Sequence, residues 1–191
     1  MVYEEITRRS KTTRAVQMQE GRLLFASGPH VYSAPADAGG PPLKYVSSIA
    51  SSVTCVAAAA RTIFAGTESR SIVCWKVDAP DQPVVLVRKR DPIVNLRLAR
   101  ICAIPHLIYS ARDLSVRARV IGQNLEWPYE AGAYSVTLVA AASDLICGID
   151  RSGRYLLFWK AANRIRPDVV VDVGRFTPHE VYDLFLVSQP L

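Results

Sequence analysis

Three histidines, His30, His106 and His179, stand 76 and 73 residues apart. Three imidazoles could in principle hold a zinc ion. Such sites usually draw two ligands from one short motif, and the chain contains neither HExxH nor CxxC. The histidines therefore read as unrelated strand or turn residues. Two acid pairs are close in sequence: Asp144 and Asp150 flank one apolar run, and Asp168 and Asp172 share another. Both read as surface or turn acids. No GxSxG elbow, GxxxxGK[ST] phosphate loop or GxGxxG fingerprint is present. The four cysteines, Cys55, Cys74, Cys102 and Cys147, each sit in an apolar segment. They read as reduced core thiols of a protein kept in a reducing, intracellular compartment. These patterns predict no enzyme, no cofactor and no metal site.

The charged residues carry more information. The formal charge is +6, with eighteen Arg and five Lys. Arg88, Lys89 and Arg90 form one cluster. Arg97, Arg100, Arg112, Arg117 and Arg119 follow, and Arg151, Arg154, Arg164 and Arg166 come later. If Arg117 and Arg119 lie on a strand, they point to the same side. Such a sector suits phosphate or acidic-protein contacts. It suits equally a solvated basic edge that prevents strand-to-strand association. No aromatic platform is interleaved, so any RNA contact would be to its backbone. In LEWPYEAG, Trp127 and Tyr129 are candidate exposed aromatics for partner docking. Pro128 confines that stretch to an outer edge strand or a loop.

The elements that must position these residues are repeated. SVTCVAAA (52–59) and SVTLVAAA (135–142) match at seven of eight positions. A weaker copy, IVNLRLA (93–99), lies midway, so Val53, Val94 and Val136 are spaced by 41 and 42. That period falls within the roughly 40–45 residues of a WD40 propeller blade. Each copy is followed by three further short runs rich in β-branched or aromatic residues, separated by polar turns, which are strand signals. No stretch has sustained helical spacing, and none approaches the ~20 apolar residues of a membrane-spanning helix. A β-sandwich also has short strands and frequent turns, but it does not require near-identical octapeptides two units apart.

The units resemble WD40 repeats at specific places. Cys74-Trp75-Lys76 and Phe158-Trp159-Lys160 end a third strand where that family has Trp-Asp. SARDLSVRARV (110–120) is similar to the family's turn-and-strand consensus, with Asp113 as the turn acid and Asp150 as its counterpart in GIDRSG. The sequence departs from the pattern in three ways. No Gly-His opens a unit, Lys76 and Lys160 replace the aspartate, and Arg119 stands where a Trp is expected. SARDLSVRARVIG and GRLLFASGPHVYSA (21–34) are also similar to propeller subunits of the small-subunit processome, the periodic tryptophan protein 2-like family among them. That resemblance implies rRNA processing, a nucleolar address, and a non-catalytic scaffold that contacts other protein subunits and RNA.

The expected fold is all-β, a WD40-like β-propeller segment spanning 1–191. Four blades are expected at about 12–48, 49–90, 91–131 and 132–174, with a further one beginning at 175–191. VYEEITR (2–8) is a candidate closing strand, and Ala57 to Ala60 and Ala140 to Ala142 are expected to pack a narrow channel. Four such blades suggest an open arc, which predicts a longer chain or a partner rather than a lone monomer; the remaining option is closure alone as a small ring. The alternatives are an adaptor of an RNA-free assembly and, from another class, a small-molecule enzyme built on a propeller.

Overall fold

The computed structural model describes residues 22–35, 43–46, 50–59, 61–142 and 144–174, together with the backbone of 13–19. The candidate closing strand, the further unit at 175–191 and His179 lie outside the described residues. Every described element is a strand. The first blade holds β1 (Thr13–Gln19), β2 (Arg22–Ser27), β3 (His30–Pro35) and β4 (Leu43–Val46). The second holds β5 (Val53–Ala59), β6 (Thr62–Thr67), β7 (Ser71–Lys76) and β8 (Ala79–Arg88). The third holds β9 (Ile93–Ile101), β10 (Ile104–Ala111), β11 (Val116–Val120) and β12 (Glu126–Tyr129). The fourth holds β13 (Val136–Ala142), β14 (Leu145–Asp150), β15 (Tyr155–Lys160) and β16 (Val169–Asp172). Each blade is a four-stranded antiparallel meander in sequence order. This is an all-β, propeller-like fold. Among the described residues no helix is long and apolar enough to cross a membrane.

The chain divides into two compact units, Met1–Ile93 and Val94–Leu191, so each unit holds one pair of blades. In the first unit Leu24, Ala26, Val31 and Tyr45 of one blade share a core with Val53, Val56, Ile63 and Trp75 of the next. In the second, Ile108, Ala118 and Tyr129 meet Val136, Ile146, Leu157 and Trp159. Burying each large side chain stabilises by about 1.5–3 kcal/mol, so these seams hold the blade pairs.

The strongest repeat is a blade pair rather than a single blade. Tyr45 and Tyr129, Trp75 and Trp159, and Val77 and Ala161 are each 84 residues apart. In both units the tyrosine of an outer strand meets the buried tryptophan of the next blade edge-on, with ring centroids 6.2 Å and 6.3 Å apart. Each phenol then donates across the seam to a backbone carbonyl: Tyr45 to Val77 at 3.3 Å, and Tyr129 to Ala161 at 2.7 Å. The shared SVT has a role as well. The pairing register slips by one residue between Val53 and Cys55 and again between Val136 and Leu138. Such a slip bends a strand and increases its twist. One cross-strand pair is conserved with its members exchanged: Phe64 faces Cys74 in the second blade, and Cys147 faces Phe158 in the fourth.

The expectations for the cysteines and alanines are corrected in part. In the third blade β9 and β10 are longer than the runs that mark them and turn at Cys102 and Ala103. Those two residues have φ of 51° and 64°. Left-handed residues at both turn positions match the twist of a tight hairpin, usually built from Asn-Gly, so the apolar spelling conceals the turn. Cys102 is consequently exposed and Cys74 half-buried, and only Cys55 and Cys147 are core thiols. Of the alanines, Ala57 and Ala140 are buried, while Ala58, Ala59, Ala141 and Ala142 are half-buried.

Candidate interaction surface

The hairpin turns joining second to third strands are closed by their own side chains. In the fourth blade the Asp150 carboxylate accepts from the Ser152 hydroxyl at 2.6 Å and from the backbone N–H groups of Ser152, Arg154 and Tyr155 at 2.9–3.1 Å. Burial alone would raise its pKa, but these hydrogen bonds together hold it below the usual carboxylate value. In the third blade Asp113 accepts from the hydroxyl and N–H of Ser115, at 2.6 Å and 3.0 Å. In the second, Thr67 Oγ1 accepts from the N–H of Ser71 and donates to its carbonyl. Short Asp, Ser and Thr side chains compete well for local backbone groups, so these turns are rigid.

Each rigid turn presents an exposed arginine: Arg70, Arg112 and Arg151. In the second blade the end of β8 joins its turn, because the Lys89 N–H donates to the Arg70 carbonyl at 2.7 Å. Exposed Arg88 and Arg90 therefore flank Arg70, with Lys89 half-buried between them. Among the described residues no carboxylate pairs with Arg70, Arg88, Arg90, Arg112 or Arg151. Their charge is not consumed inside the fold.

The remaining predicted contacts divide differently. Arg88, Lys89 and Arg90 belong to the first unit and the other five to the second. Arg117 and Arg119 do share a side of β11, but both are engaged. Arg117 lies 3.6 Å from Glu126, and Arg119 donates to Asn124 at 3.2 Å. Glu126 also accepts a 2.6 Å hydrogen bond from Tyr109, whose phenol pKa is raised first by burial and then by this carboxylate. Arg154 is held by Asp172 through three bonds of 2.6–3.1 Å.

The aromatic pair is corrected. Tyr129 is 3% exposed and belongs to the seam rather than to solvent. Trp127 is partly buried, with the Arg164 guanidinium 4.4 Å above its ring and His106 edge-on at 5.2 Å. Pro128 does mark an edge strand, as expected, but alternation turns Trp127 and Tyr129 inward beneath the next blade. Which face of an edge strand is covered depends on that neighbour, and the local sequence carries no sign of it. Two turn arginines add to these candidates, Arg70 in the first unit and Arg151 in the second; Arg151 was legible only as charge, and Arg70 not at all. Among the described residues no three metal-ligating side chains come together.

No protein-family profile matches the chain, and no curated protein matches it. Solved structures do. A computationally designed protein, Ika8, is 15% identical with a TM-score of 0.67; the match covers 85% of this chain and 50% of that one. The designed Ika4 is 12% identical with a TM-score of 0.64, over 78% of this chain and 92% of that one. Raptor from Chaetomium thermophilum is 10% identical with a TM-score of 0.67, over 83% of this chain and 16% of that one. The chain thus spans half the length of Ika8 and a small part of Raptor. Likeness at these identities establishes a shared fold, reached by sequences with little else in common.

Proposed function

We propose that this chain is a non-catalytic, WD40-like scaffold subunit that holds other proteins, and RNA, in a large assembly of the small-subunit processome type. The observation that carries the scaffold reading is the set of rigid turns. Their acids and hydroxyls are spent on closing the backbone, while Arg70, Arg88, Arg90, Arg112 and Arg151 stay exposed and, among the described residues, unpaired. Guanidinium groups are suited to carboxylate and phosphate oxygens, because their planar fork can donate two parallel hydrogen bonds. The processome and RNA parts of the reading rest on the resemblance of residues 110–122 and 21–34.

The test is recovery of the chain from its own cells with whatever accompanies it. The expected result is co-recovery of other propeller proteins and ribosomal-precursor RNA. Arg70→Glu/Arg88→Glu/Arg90→Glu, and separately Arg112→Glu/Arg151→Glu, should release partners without lowering thermal stability. RNA contact should weaken steeply with salt, because each neutralised phosphate releases counterions. Recovery of protein partners without RNA would favour an RNA-free adaptor, and recovery of the chain alone would end the scaffold reading.

A further inference from the structure

The outer strand of a meander blade keeps its place through a ladder on one side and through the side chains it buries. β4 buries Tyr45, β8 buries Val87 and β12 buries Tyr129. β16 buries none, and all four of its residues are exposed. The contrast is clearest at corresponding positions of the blade-pair repeat. Val87 and Val171 are 84 residues apart, and each pairs with a third-strand residue, Ile72 and Leu156. Val87 is 6% exposed, whereas Val171 is 39% exposed. A segment with few buried apolar contacts and solvent-exposed backbone bonds can open without its surroundings.

The side-chain hold on β16 is polar and lies at its two ends. At the entry Asp168 accepts from the Lys160 N–H at 2.6 Å and the Asn163 amide at 2.9 Å, and its own N–H donates to the Phe158 carbonyl at 2.7 Å. At the exit Asp172 accepts three bonds of 2.6–3.1 Å from Arg154, and the Val173 N–H donates to the Arg154 carbonyl at 2.9 Å. Both side chains of that ion pair are exposed. We infer that β16 is a strap that opens from its Asp172 end while β13–β15 stay folded, with the Arg154–Asp172 pair as its latch, so that ionic strength sets how often the outer edge of β15 is free. Opening parts Val169 from Phe158 and Val171 from Leu156, and it uncovers Phe158 and Leu156, both half-buried in the closed blade. The seam with the third blade survives, because Val136, Val139, Ile146, Leu157 and Trp159 all come from β13–β15. An exposed ion pair stabilises weakly and is screened by salt, so this latch is adjustable rather than permanent.

The test is amide hydrogen exchange on the full chain, read by mass spectrometry on peptides covering β8, β14 and β16. Exchange over 168–173 should run at least about a hundredfold faster than in β14 and respond little to sub-denaturing urea, because a local opening exposes little surface. The β8 peptide, anchored by Val87, should stay at least about tenfold slower than β16. Raising NaCl from about 0.01 M to 1 M shortens the screening length from about 30 Å to about 3 Å and should speed exchange in β16 about threefold relative to β14. Arg154→Gln should give that increase already at low salt, abolish the further response to salt, and shift the thermal midpoint little. β16 exchanging in step with β14, with the same urea dependence, overturns the proposal, because the strand then opens only with its blade. So does β8 exchanging as fast as β16, or β16 exchange that Arg154→Gln leaves unchanged, since the pair is then no latch. The proposal goes beyond the scaffold reading, which is tested at the turn arginines, so a strap that stays closed leaves that reading standing.

Discussion

The tyrosine hydroxyls that cross the two seams offer a direct measure of what joins a blade to its neighbour. Tyr129→Phe removes one oxygen and keeps the ring against Trp159. The lost bond is short, 2.7 Å, and Tyr129 is buried. A net hydrogen bond is worth about 0.5–1.5 kcal/mol, and a buried carbonyl left without its partner costs about 1–3 kcal/mol. The Ala161 carbonyl can recover part of that from water, so the expected loss is about 1–2 kcal/mol. Tyr45→Phe is the internal control. Its bond is 3.3 Å, near the limit of useful geometry, and its expected loss is about 0.5 kcal/mol or less. Urea titrations followed by tryptophan fluorescence should show a lower midpoint for both variants and an unchanged slope, since the surface exposed on unfolding is the same. If Tyr129→Phe is neutral, or Tyr45→Phe costs as much, the phenols are not what fasten the seams. A Tyr129/Trp159 double-mutant cycle should leave about 0.5–1.5 kcal/mol for the edge-on ring contact.

Three other predictions follow from the packing and the turns. Phe64→Cys should cost about 2–4 kcal/mol, and adding Cys74→Phe should recover at least half of it, because the fourth blade uses that arrangement; full additivity of the two losses in thermal melts would refute the equivalence. At Gly148 a new Cβ would lie 2.7 Å from Val136 Cγ1 and 3.2 Å from the Trp159 ring, so Gly148→Ala should cost about 1–3 kcal/mol, with partial relief from Val136→Ala. The Asp150 pKa is depressed in the fold, so its contribution is present above the unfolded value of about 3.9 and is lost as pH falls through the folded value. Asp150→Asn should therefore lower stability at neutral pH and flatten the acid limb of stability against pH, which an unchanged acid limb would contradict.

Much of the architecture was legible because strands announce themselves through alternation and turn residues. Both copies of VAAA end an inner strand. Asp113 and Asp150 read correctly as turn acids because their acceptor chemistry acts on the next few residues. The failures share a cause: each concerns what covers a residue from a distance. Tyr129 reads as exposed because edge strands generally are, but the next blade covers it, with Trp159, 30 residues later, against its ring. Arg117 reads as a free cation because Glu126 reaches it from the neighbouring strand β12, a pairing set by the register of the two strands. The hairpin at Cys102 and Ala103 escaped because neither residue type signals a left-handed turn. The spacing of 83 between octapeptides is two single-blade steps, as read, because the first strands of the second, third and fourth blades begin at Val53, Ile93 and Val136.

The pairing of blades has a bearing on how the chain is made. Within a blade each strand pairs with its sequence neighbour, so a blade can form as soon as its last strand leaves the ribosome. The seam cannot, because Tyr45 and Tyr129 each wait for a carbonyl 32 residues further on. At about 5–20 residues per second that is a delay of roughly 2–6 seconds. During it, the apolar flank of the first blade of each pair stands open to chaperones or to the wrong neighbour. Synonymous changes that slow translation through residues 46–77 or 130–161 would lengthen that exposure, and those windows are where misassembly of the nascent protein should be sought.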